Sequence, residues 1–199
     1  MPKFSVIVTA HNAADRIQRC LDSVRQQVFT DYELIVVCDA CVDDTAEIAR
    51  RYTPRIIETN YADSGGARNA GLEAAQGEWI LWLDDDDHWL HEYVLTQLNE
   101  KTEQNKDADI ICFSFIFKGW KYATPTGNEG GHWIAIWNKC WKRSFIGDTR
   151  FLIIKHDDAY FHRDMFAKNP KIVDWDMPMY YYNYMRPGSY SWIYSHEDK

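Results

Sequence analysis

The sequence predicts a single α/β domain built on a mixed, mainly parallel sheet flanked by helices. Short, nearly continuous apolar runs alternate with segments of helical periodicity, the pattern required of strands covered on both faces. The 199 residues suffice for one core without disulfide staples. A composition that is 46% hydrophobic and 15% aromatic belongs to a globular chain.

The elements follow in order. Residues 4–9 (FSVIVT) form a β-branched strand, after which Ile17, Cys20, Leu21 and Val24 recur at helical spacing. Residues 32–38 (YELIVVC) read as a second strand, and DDTAEIARRY opens a second helix with Asp44 as its cap and Glu47 as the capping-box partner. Residues 55–58 give a third strand, GGARNAGLEAAQG a third helix closed by Gly77, and residues 78–83 a fourth strand. A helix around 90–104 and a strand over 108–117 come next. The segment KGWKYATPTGNEGGHW carries turn chemistry and reads as a turn region or hairpin. AIWNKCWKRSFI and HDDAYFHRDMF read as helices, and KIVDWDMPMYYYNYMRPGSYS as an extended aromatic stretch.

On this scaffold TAHN follows the first strand, CDACVDD the second, TNYADSGGARN the third and DDDD the fourth. All four loops fall at the carboxyl edge of the sheet, where ligands of parallel α/β sheets bind. The loop after the fourth strand stacks Asp84, Asp85, Asp86 and Asp87 between apolar residues. Adjacent carboxylates repel one another and resist desolvation, so the arrangement calls for a cation. Asp84 and Asp86, at alternate positions, suit a hard divalent ion such as Mn2+ or Mg2+. A solvated acidic turn is the competing reading.

The formal charge of −8 disfavours broad binding to nucleic-acid phosphates or to an anionic membrane. Five cysteines, an odd number without repeated metal-type spacing, read as reduced thiols in a cytoplasmic protein. The isolated Cys38–Cys41 pair leaves zinc or redox chemistry as the lesser alternative. No charged leader precedes an apolar stretch, and no run of about twenty apolar residues could span a membrane.

The blocks SVIVTAHN, CLDSVRQQ, ELIVVCDACVDDT, GGARNAGLEAAQGEWILWLDDDD, WNKCWKRSFI and YYYNYMRPGSYS, in this order, resemble the family 2 nucleotide-sugar glycosyltransferases. The resemblance implies a Rossmann-like GT-A fold, with residues 1–106 forming the nucleotide-sugar-binding half and 107–199 the half that holds acceptor and catalytic base. It implies that Thr9, His11 and Asn12 line the nucleotide pocket, with His11 where the family commonly has tyrosine. Asp39 matches the aspartate that reads the base, usually uracil; the family's DDGS is CDAC here. Arg68 matches a cation near the nucleotide, an ion pair with an acidic core neighbour being the alternative. Asp84 and Asp86 match the family's D-x-D metal site, with Asp86 favoured as the direct ligand. Asp85 and Asp87 are left to contact ribose or sugar or to cap the next helix.

HDDAYF resembles the family's acidic block, which makes Asp158 the catalytic base and puts Asp157 where glutamate is usual. Capping of a helix N-terminus is the alternative use of the two aspartates. Arg186 matches a late cation that folds over the diphosphate, against an exposed arginine beside a Pro-Gly turn. Trp137 to Lys142 would border the acceptor, unless Trp137 and Trp141, four apart on a helix, pack inward. The implied reaction is a metal-dependent, inverting transfer of a sugar from a UDP-sugar or another nucleotide-sugar donor to the hydroxyl of a glycan or other acceptor, with nucleic acid a disfavoured acceptor. A nucleotidyltransferase and a non-catalytic binder of nucleotide-sugars or glycans are the competing functions.

Overall fold

The computed structural model describes residues 1–117, 119, 121–126, 131–184, 186, 187 and 189. Parts of the predicted turn region (118, 120 and 127–130) and of the final aromatic stretch (185, 188, 190 and 191) lie outside the described residues. The chain runs β1 (Phe4–Ala10), α1 (Ile17–Arg25), β2 (Tyr32–Asp39), α2 (Thr45–Arg50), β3 (Ile56–Thr59), α3 (Ser64–Ala74), β4 (Trp79–Asp84) and β5 (His88–Trp89). It continues with α4 (Val94–Gln104), β6 (Ile110–Phe117), β7 (Lys121–Ala123), β8 (Lys139–Lys142), α5 (Arg143–Ile146), α6 (Asp157–Phe166) and β9 (Ile172–Tyr182).

One nine-stranded sheet runs β3-β2-β1-β4-β8-β6-β9-β5, with β7 paired to β6. The β3-β2-β1-β4 portion is parallel and β8 is antiparallel to both its neighbours. Alternate residues of each central strand enter opposite cores, which is why these strands are apolar throughout. Val6 and Val8 pack with Ile17, Leu21, Leu95 and Leu98 from α1 and α4, whereas Ile7 packs with Leu72, Ile146, Phe161 and Met165 from α3, α5 and α6. Register puts Thr9 beside both Val37 and Asp84, and Asp39 beside Thr59, so the polar loops emerge at one edge as expected.

Three local expectations are corrected. Residues 139–142 are a strand, not a helix, and only Arg143–Ile146 is helical. The space between β4 and β6 requires a strand, and Cys140 and Trp141 satisfy it by entering opposite cores. Tertiary demand overrides local propensity there. Both tryptophans do pack inward, Trp137 stacking on Tyr180 and Trp141 edge-on to Trp82. Asp44 occupies the cap position of α2 without a side-chain bond; Asp43 instead accepts from the Thr45 and Ala14 amides. Helix α3 ends at Ala74, and Gly77 serves a close approach to β1 rather than a helix cap.

β9 carries an irregularity. Phe113 pairs with Trp175, Ser114 with Pro178 and Phe115 with Tyr180, so β9 holds three more residues than β6 across this stretch. The bulge lets Tyr180 reach the edge where β5 pairs with β9. A methyl group added at Gly77 would stand 2.4 Å from the Ser5 amide nitrogen. Gly77→Ala is therefore expected to lower stability by about 1–3 kcal/mol, while Gly131→Ala, which meets nothing within 4 Å, stays near neutral in the same denaturant titration.

Candidate active site

A cavity of about 370 Å3 opens at the carboxyl edge of the parallel strands. Thr9, His11, Asp39, Arg68, Asp84, Asp85, Asp86 and Arg186, all singled out from sequence, line it. Asn12 and Asp158 do not. Asn12 adopts a left-handed backbone (φ 45°) and turns its Oδ1 to accept from the Val42 amide 2.9 Å away.

The four consecutive aspartates are held apart, each by partners of its own. Asp84 faces the Arg68 guanidinium at 3.5 Å. Asp85 accepts from Arg16 Nε at 2.8 Å and from the His11 amide at 3.1 Å. Asp86 accepts from Arg186 Nε at 2.5 Å. Asp87 accepts from the Tyr180 hydroxyl at 2.6 Å and the Asn183 amide at 2.7 Å. The compensation is incomplete. Burial raises the pKa of Asp84, Arg68 lowers it, and Asp86 and Asp85 push it back up, leaving it at about 6. Burial and the neighbouring Asp86 and Asp84 hold Asp87 well above the usual carboxylate range despite its two donors.

Arg68 is the hub of the opposite wall. It is 8% exposed, donates to Asp157 Oδ2 at 2.5 Å, and Ser64 donates to the other oxygen of Asp157 at 2.7 Å. Burial works against its charge, but Asp157, Asp84 and Asp158 outweigh that and raise its pKa. Its buried Nε has no hydrogen-bond partner. The ion pair with an acidic neighbour is thus formed, and the Arg68 side chain also lines the cavity.

Asp39 is buried, and its oxygens are engaged by the last residue of β3 and the loop after it. Oδ1 accepts from Thr59 Oγ1 and the Tyr61 amide, and Oδ2 from the Asp63 amide. An ionised carboxylate has about four acceptor positions, so one more donor can be accommodated. That loop leads into α3, whose first turn is capped by Asp63 Oδ1 on the Gly66 amide at 3.0 Å and borders the cavity at Ser64 and Ala67. Such a helix end favours anions. An added methyl at Gly65 would stand 2.2 Å from the Leu152 carbonyl oxygen, so the glycine allows the 151–156 loop to lie against this turn.

Asp157 and Asp158 open α6 after His156, which is left-handed (φ 61°) and caps the helix without a side-chain bond. Asp157 is 3% exposed and committed to Arg68 and Ser64, whereas Asp158 is half-buried, its Oδ1 accepting from the adjacent Ala159 amide. Sequence reasoning missed Arg16, which pins Asp85, and Tyr180 and Asn183, which hold Asp87. No local motif marks these residues; the aromatic run at 180–182 offered the one signal.

The description "Glycosyl transferase family 2" belongs to the family model that matches residues 5–172. The chain is 26% identical, over 97% of its length, to the glycosyltransferase GlyA of Streptococcus pneumoniae serotype 4, and spans 32% of that protein. Among solved structures, Staphylococcus aureus TarS in complex with UDP-GlcNAc superposes with a TM-score of 0.82 at 23% identity, covering 95% of this chain and 60% of that one. The mannosyltransferase PcManGT of Pyrobaculum calidifontis, in complex with GDP-Man and Mn2+, gives 0.75 at 19% identity, covering 96% and 59%. At these identities the structures show a shared GT-A fold.

Replacing Arg68 by methionine leaves the buried Asp157 and the partly buried Asp84 without their cation. Arg68→Met is expected to lose about 3–5 kcal/mol in denaturant unfolding, and Asp157→Asn added to it to restore part of that loss.

Proposed function

The chain belongs to glycosyl transferase family 2, and we propose that it transfers a sugar from a nucleotide-sugar donor, UDP-linked, to a hydroxyl acceptor with inversion at the anomeric carbon. The observation that carries this reading is the meeting, in one cavity, of the Asp84–Asp86 pair with the Arg68 and Arg186 guanidiniums and the first turn of α3.

Asp84 and Asp86 would hold Mn2+ or Mg2+. Their hard oxygen donors fit such an ion, and the Arg186 guanidinium seated on Asp86 supports the seat's preference for positive charge. Bound there, the ion would neutralise the diphosphate of the donor. The positive charge of Arg68 and the first turn of α3, both bordering the cavity, favour the same group, where negative charge grows as the nucleoside diphosphate departs. Asp39 accepts from the base, with Thr9 and His11 lining the pocket beside it, while Asn12 lies outside the lining and ties its loop to Val42. Arg186 belongs to the chain segment that pairs with the acidic turn, a placement suited to covering the diphosphate.

Asp158 takes the acceptor proton as the hydroxyl oxygen attacks the anomeric carbon. Asp157 positions Arg68 and fixes the first turn of α6 on which Asp158 stands. Among the described residues no helix is long and apolar enough to cross a membrane.

Asp158→Asn is expected to bind UDP with unchanged affinity in calorimetry while kcat falls about 10²–10⁴-fold; normal turnover by this variant overturns the base assignment. A proton and a metal ion compete for Asp84, whose pKa lies near 6. Mn2+ affinity measured by calorimetry should accordingly weaken as pH falls through 6, and Asp86→Asn should abolish the binding at every pH.

A further inference from the structure

A second cluster of metal-ligating side chains lies away from the acidic quartet. Cys112 on β6, His132 and Asp174 on β9 each present a ligand atom, and the three atoms lie within 4.8 Å of one another. We propose that Cys112 Sγ, His132 and Asp174 form a zinc site, with water in the fourth position.

The sheet supplies two of the three ligands. Cys112 and Asp174 are register partners on adjacent parallel strands, so their side chains emerge side by side on the same face. The third comes from the segment that precedes β8. His132 Nε2 stands 2.7 Å from Asp174 Oδ1, and two atoms sharing a tetrahedral zinc at about 2.0–2.1 Å each are separated by about 3.3 Å. A small rotation of either side chain therefore admits the ion.

The histidine is held in place from behind. Buried Lys139 donates to the Trp133 and Ala135 carbonyls at 2.5 and 2.6 Å and to Asn138 Oδ1 at 2.9 Å, closing the segment that follows His132. The Trp133 indole donates to the Thr124 carbonyl, and Thr126 bridges to His132, so the same segment is fastened on both sides. The His132 ring also packs against Phe166 of α6.

The donor set selects the metal. One thiolate, one imidazole and one carboxylate suit borderline Zn2+ and not the hard ions favoured by an all-carboxylate seat. Thiolate and carboxylate together neutralise the divalent charge, and the Cys112 proton leaves to solvent. The Cys112 side chain is buried while Asp174 is 48% exposed, which gives the ion an anchored ligand on the inside and an open position toward water. Zinc here would tie residues 131–138 to the β6–β9 pair.

Cobalt(II) titrated into the full chain tests this, because thiolate-bound Co2+ shows a charge-transfer band in the near ultraviolet and tetrahedral Co2+ an intense visible spectrum. We expect one equivalent of thiolate-bound cobalt, displaced by Zn2+. Cys112→Ser should abolish the band. Asp174→Asn, a change at a half-exposed position, should weaken cobalt binding by more than the roughly 10–100-fold that loss of an outer-shell partner costs. Asp86→Asn should leave the band unchanged, which separates this site from the acidic quartet. Absence of a thiolate band at saturating Co2+, or its persistence in Cys112→Ser, overturns the proposal.

Discussion

Four neighbouring carboxylates at the end of a buried strand cannot share one partner, and this constraint organises the molecule. Each must find its own positive or donating group, and the partners come from widely separated parts of the chain: Arg68 from α3, Arg16 from the start of α1, Tyr180 and Asn183 from the end of β9, and Arg186 beyond it. The acidic turn thereby draws the first and last thirds of the chain to one place. Mutual repulsion, which would be a defect in isolation, becomes the reason that the edge is assembled from several elements. Asp84, raised by burial and by Asp86 and Asp85 against the pull of Arg68, retains a pKa of about 6.

The scaffold converts this local requirement into a cavity. Parallel pairing of β1 with β2 and β4 aligns the ends of the strands, and the two cores on opposite faces keep the sheet from sliding. Around the opening, the positive wall of Arg68 and the α3 first turn faces the negative wall of the quartet. Asp157 belongs to the positive wall in spite of its own charge, since it holds Arg68 in place. The division of labour between two adjacent aspartates, one buried in an ion pair and one half-buried with spare acceptor capacity, follows from helical geometry, which points consecutive residues in different directions.

Much of this was legible in the sequence because it depends on short periods. The parallel strands, α1, α3 and the edge carrying the polar loops follow from alternation and turn chemistry in residues 4–84. Two kinds of feature were not. The segment AIWNKCWKRSFI reads as helix, and only the gap between β4 and β6 turns its residues 139–142 into a strand. The partners of Asp85 and Asp87 are 69 and 93 residues away in the chain, where no spacing rule operates. The carboxylates announced themselves; what neutralises them is a property of the tertiary structure. The same distance effect hides Cys112, His132 and Asp174, whose separation in sequence resembles no metal-binding spacing.

The extra residues in β9 carry a further consequence. Trp175 and Tyr180 are five apart, which in a regular strand would place them on opposite faces, yet both pack into the same core. The irregularity between them resets the alternation, and the Tyr180 hydroxyl reaches Asp87 only because of it. Chain length between 175 and 180 is thus under a stricter constraint than amino-acid identity there: removal of one residue would invert every later side chain, carrying the tyrosine out of the interior and detaching the acidic turn from the strand that steadies it.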